Sequence, residues 1–127
     1  MIYNQSTPNM KKSDIFNVIL DKVVEVCEVR KESILNRLKV NSVVDARILL
    51  VYILRRLGLT NDDIALIILR TTLGRVPELE EIKVKAKNVN KLFMMYSDRY
   101  QSFAFKQMSR ELCEYAKCIE SDANLTS

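Results

Sequence analysis

Histidine and tryptophan are absent from this chain of 127 residues, and glycine and proline occur only twice each. Without histidine there is no imidazole base for a nucleophilic triad and no histidine ligand for a metal. So few turn formers exclude a sandwich or barrel, which needs many of them. Neither a P-loop, a glycine-rich dinucleotide loop nor a G-x-S-x-G elbow occurs. The carboxylates fall on amphipathic helical patterns, where a solvated face is their ordinary use. These absences predict a non-enzymatic protein with no catalytic residues, no cofactor and no metal.

The cysteines are odd in number (Cys27, Cys113 and Cys118), so they do not form a disulfide framework, and no paired C-x-x-C suggests zinc. Free thiols in a reducing cytoplasm are the expectation. The longest apolar runs, residues 48–54 and 64–69, are too short to span a bilayer, and residues 1–12 lack a signal-like apolar stretch. A soluble cytoplasmic protein without membrane contact follows. The net charge is +4: residues 1–76 carry 12 Lys/Arg against 8 Asp/Glu, and residues 77–127 carry 8 of each. An excess of cations in one half favours polyanionic partners.

What is present is helical periodicity. Hydrophobic residues make up 48% of the chain, enough at this length for one domain with a substantial core. Residues 1–12 read as a polar, disordered tail, after which Ser13 caps a helix from Asp14 with Ile15, Phe16, Ile19, Val23, Val26 and Cys27 on one face. A short helix over 32–38 turns Ile34, Leu35 and Leu38 inward, and Lys39, Asn41 and Ser42 form the next loop. Residues 43–57 are apolar nearly all round, the pattern of a central buried helix. Gly58 stops it, and Thr60 with Asp63 resembles a capping box opening a fourth helix at Asn61. Pro77 fits the first position of another helix that starts with Glu78, Glu80 and Glu81 and carries Leu79, Ile82, Ala86, Val89, Phe93 and Tyr96. The last helix, 100–119, presents Tyr100, Ala104, Met108, Leu112, Tyr115 and Ile119, widened by Phe103 and Phe105, before a polar tail over 121–127. The expected architecture is an all-α domain of five or six helices, with residues 77–120 packed as a helical pair on 13–76.

The order of a basic loop at 36–42, an arginine-headed apolar helix, a glycine stop and a threonine-capped helix resembles the DNA-binding domain of the bacterial replication initiator DnaA family. That domain is a helix-turn-helix of the Trp-repressor-like class, and the likeness spans roughly residues 15–76. The resemblance implies a Trp-repressor-like core extended by two longer C-terminal helices, without the family's ATPase domain. It further implies that Arg37, Lys39, Asn41, Ser42 and Arg47 grip phosphates, and that Arg70, Thr71, Thr72 and Arg75 are offered to the major groove. Asp45 stands near where the family has a further arginine and a proline, and the turn glycine, aspartate and histidine of the reading helix are missing.

Two alternatives stay open at this stage. Residues 61–73 can form one continuous helix ended by Gly74, which abolishes the motif. The aromatic and methionine stripe of Phe93, Met94, Met95, Tyr96, Phe103, Phe105 and Met108 fits core, and also a homodimer interface. Double-stranded DNA binding, with a regulatory role, is therefore the leading expectation. A helical protein–protein interaction module that kept the scaffold and lost base reading is the alternative.

Overall fold

A computed structural model describes residues 10–36 and 38–126, with side-chain environments through residue 120. Every regular element among these residues is helical: α1 (Lys12–Cys27), α2 (Lys31–Leu35), α3 (Asn41–Arg56), α4 (Asn61–Leu73), α5 (Leu79–Met94), the single turn α6 (Tyr96–Arg99) and α7 (Phe103–Thr126). No helix among them is long and apolar enough to cross a membrane.

The spine is α3. It touches every other helix, and Val43, Ala46, Ile48, Leu49, Leu50, Val51, Ile53 and Leu54 are all buried, on every side of its axis. A helix buried all round can carry apolar residues without regard to face. Its end is set by local chemistry. The Leu59 amide donates to Leu54 O at 3.0 Å and the Gly58 amide to Arg55 O at 3.1 Å. Those two bonds make a Schellman stop, which requires the left-handed φ of 102° at Gly58. Leu54 and Leu59 are both buried there, the apolar contact that accompanies this motif. The Thr60 hydroxyl then accepts from the Asp63 amide at 3.1 Å while the Asp63 carboxylate accepts from the Thr60 amide at 2.9 Å, closing the expected box.

Against α3 pack α1, through Phe16, Ile19, Leu20 and Val23, and α7, through Phe105, Leu112 and Ala116. The α7 face is rotated from the expected one. Phe105 rather than Phe103 enters the core, Tyr100 and Ala104 are exposed, and Ser109 is buried in line with Leu112. Ser109 tolerates this place because its hydroxyl meets the Tyr96 hydroxyl at 2.5 Å. Tyr96 in turn stacks on Tyr52 of α3 at 3.6 Å between ring centroids.

Several boundaries differ from the sequence reading. Helix α1 starts at Lys12 with no side-chain cap, so Ser13 lies inside it. Lys12 also pairs with Asp63 at 3.1 Å, which ties residues assigned to a tail onto α4. Helix α2 stops at Leu35, and Leu38 is exposed. Asn41 and Ser42 belong to the first turn of α3 rather than to a loop. Pro77 is buried one residue before the Glu78 N-cap, and α7 continues to Thr126, through the segment read as a tail.

All three cysteines are free, and Cys27 is the most perturbed: burial first, then Asp45 and Glu111, push its thiol up to about 12. A folded value above the ordinary one near 8.5 means that the native state holds the proton. The associated stability is fully present below about pH 8.5 and is lost as pH rises from there towards 12. Alkylation of the native protein at pH 8 is expected to modify the exposed Cys118 first and Cys27 last; a Cys27 that reacts as fast as Cys118 contradicts its burial.

Candidate nucleic-acid interface

The arginine that heads the apolar helix faces inward. Arg47 Nε donates to Ile34 O at 2.7 Å, and its Nη2 donates to Ser33 O and Asn36 O, each at 2.7 Å. The guanidinium therefore closes the C-terminal end of α2, where cations and orphan carbonyls suit each other, and burial lowers its pKa. The expectation of a fully exposed Arg47 is corrected: the residue is half-buried, with its Nε and Nη2 donors turned onto three carbonyls of the chain folded back over α2. Asp45 is likewise engaged. It pairs with Arg99 of α6, so the apparent loss of positive charge at this position is a tertiary ion pair.

Arg37 lies outside the described residues. Lys39 is exposed and makes no ion pair among the described residues, and Asn41 and Ser42 are exposed on the first turn of α3.

The proposed reading segment does not form a helix of its own. Helix α4 runs unbroken through Leu73 and ends at Gly74, whose φ of 70° is left-handed and whose amide returns to Arg70 O at 3.1 Å. Residues 70–73 thus sit at the C-terminal end of a helix, where the dipole repels phosphate, and not at an N-terminus that attracts it. The Thr71 hydroxyl donates to Ile67 O and that of Thr72 to Ile68 O, both at 2.9 Å. Arg75 makes a two-pronged pair with Glu81 at 3.0 and 2.9 Å. That contact, with the Glu78 amide second, holds the Glu81 carboxyl down at about 2. Within residues 70–76, Arg70 is the exposed cation that makes no ion pair among the described residues. The apolar residues at 64–69 explain why α4 stays whole: Ile64, Ala65 and Ile68 are buried, Leu66, Ile67 and Leu69 half-buried, and α4 packs extensively on α5.

A second helix following α4 across a turn does exist, and it is α5. Its start is acidic, with Glu78, Glu80 and Glu81, so its N-terminal end is unsuited to a groove lined by phosphate. Farther along the picture reverses. Lys83, Lys87 and Lys91 recur every four residues, which puts them on one stripe about 6 Å apart. All three are exposed and make no ion pair among the described residues. Residues 82–110 carry 7 Lys/Arg and a single Asp/Glu, Asp98. The signal was present in the sequence. Dividing the charge count at Pro77 merged this stretch with the acids on either side of it and cancelled it.

Among the described residues, no group of three or more His, Cys, Asp or Glu side chains could hold a metal. An open cleft of about 480 Å³ lies at the α3–α4 turn, lined by Arg55, Gly58, Leu59, Thr60, Asn61 and Asp62. Arg55, Thr60 and Asn61 there are committed to the fold. Arg55 donates to Asn61 Oδ1 at 2.7 Å and lies 4.4 Å from the Phe93 ring, and Thr60 is the helix cap. The chain matches no family model, no curated protein and no solved structure.

Proposed function

We propose that the protein is a non-enzymatic binder of double-stranded DNA that grips the phosphate backbone without reading bases. The outer stripe of α5 carries this reading: Lys83, Lys87 and Lys91 are exposed, unpaired and one turn apart, within a stretch nearly free of carboxylates. Cations so spaced can each meet a phosphate and release its condensed counterions. Lys39 and Arg70 add exposed charge beyond that helix. The resemblance to the initiator family's DNA-binding domain supports the same class of partner. The engagement of Thr71, Thr72 and Arg75 by intramolecular hydrogen bonds supports the loss of base reading. Three free thiols agree with a cytoplasmic location, and a regulatory role is compatible with binding without chemistry.

Fluorescence anisotropy on random-sequence duplexes at several salt concentrations tests the proposal. Replacing Lys83, Lys87 and Lys91 by Ala is expected to flatten the slope of log K against log salt by about three, at roughly 0.9 per phosphate contact. Helicity should stay the same, and unrelated duplexes should bind alike. A slope that the triple substitution leaves unmoved would make these lysines ordinary solvated charge.

A second reading, an interaction module that can form a homodimer, is favoured by one observation. Val76 and Leu79 are 70% and 68% exposed on the α4–α5 turn, beside the half-exposed Leu73. A chain that ignores duplex DNA at low salt yet sediments as a dimer would select it.

A further inference from the structure

A different surface, around the α6–α7 turn, carries an inference beyond duplex binding. Phe103 is 75% exposed and Tyr100 39% exposed, although Phe105, two residues on, fills the core position at 1%. Phe103, Lys106 and Arg110 follow one another at helical spacing and so share a stripe of α7. Lys106 Nζ stands 5.6 Å from the Tyr100 ring centroid. No carboxylate occurs in residues 99–110.

We propose that Tyr100 and Phe103, flanked by Lys106 and Arg110, form a stacking platform for the unpaired bases of a single-stranded nucleic acid. Aromatic rings held at the surface among cations are what sequence-tolerant single-strand binding requires: rings take base faces and cations take phosphates. A duplex cannot use the rings, because neighbouring pairs cover the faces of its bases. The backbone that carries both rings is also held in place before binding. The Ser102 hydroxyl accepts from the Phe105 amide at 3.3 Å, and the Lys106 amide returns to Ser102 O at 3.0 Å. Arg99 ties α6 to Asp45 of α3, and Tyr96 backs Tyr100 at 5.5 Å. Little ordering is then left for binding to oppose. A second copy is a poor occupant, since it would bring the same cations to face these.

The test uses the full chain, fluorescein-labelled oligo-dT and a duplex of equal length. Phe103→Ala is expected to weaken oligo-dT binding by about 5- to 150-fold, the range that loss of one base stack gives, with duplex affinity unchanged. Phe103→Trp should retain oligo-dT binding, and its indole emission, the only tryptophan signal in the chain, should be quenched by the oligonucleotide. Circular dichroism checks that both variants stay helical. Equal oligo-dT affinity for parent and Phe103→Ala overturns the platform. So does full binding by Phe103→Leu, which keeps the bulk and removes the ring face. A self-association that Phe103→Ala dissolves, without any oligo-dT effect, overturns it in favour of a protein partner. Absence of duplex binding beside Phe103-dependent oligo-dT binding refutes the α5 proposal and supports this one.

Discussion

Leu50→Ala is expected to destabilise the fold by about 2–5 kcal/mol. Leu50 is 1% exposed at the middle of α3. It also lines a small, partly open space of about 30 Å³, with Ile34, Val51, Ile68, Val89 and Leu92 among the residues around it. Deleting its side chain enlarges a void whose walls belong to four helices, each fixed by its other contacts. Such walls collapse poorly, which places the expected loss in the upper half of that range. Domains of this size are stable by about 5–15 kcal/mol in total, so the variant should lose roughly a quarter or more of its stability. Urea unfolding followed by circular dichroism should show a lower midpoint at an unchanged m value. Val84→Ala, at a site 57% exposed on α5, serves as the control and should stay within about 0.5 kcal/mol. A Leu50→Ala protein as stable as that control would remove α3 from the centre of the fold.

Features governed by neighbours in sequence were legible, and features that needed distant partners were not. The Gly58 stop and the Thr60–Asp63 box involve residues within five positions of each other, and both read correctly from residue type. The burial of α3 read correctly because an all-round apolar helix admits one environment. The role of Arg47 depends on carbonyls 11 to 14 residues away, and that of Asp45 on an arginine 54 residues away. Nothing local distinguishes such residues from free surface charge. The face of α7 went wrong for a related reason: Ser109 looks like a surface residue until Tyr96 is brought to it. Continuity of α4 was a balanced choice. Arg70, Thr71 and Thr72 suit either the first turn of a reading helix or the last turn of a packed one, and the apolar contact with α5 decided it. The lysine stripe of α5 needed no structure at all, only a charge count taken over a window instead of a half-chain.

Arg47→Met separates the two roles that Arg47 could have, and it is expected to act on stability alone. Methionine keeps an unbranched apolar stem in the same space and removes the guanidinium. Three donor–acceptor contacts at 2.7 Å disappear with it. Hydrogen bonds from a charged donor contribute about 1.5–3 kcal/mol apiece, and they are not additive. Water can reach part of this site, since Arg47 is only half-buried, and releasing the guanidinium removes the desolvation that lowers its pKa. A net loss of about 2–4 kcal/mol is the result. It should also be localised. Helix α2 has 5 residues, far below the length at which a helix is stable by itself. With its clamp gone, its amides should lose protection in hydrogen exchange, while those of α3 keep theirs up to the new global limit. The dependence of duplex binding on salt should remain that of the parent, because no phosphate contact is lost. Unchanged stability together with a flattened salt slope would reverse the assignment and return Arg47 to the DNA face.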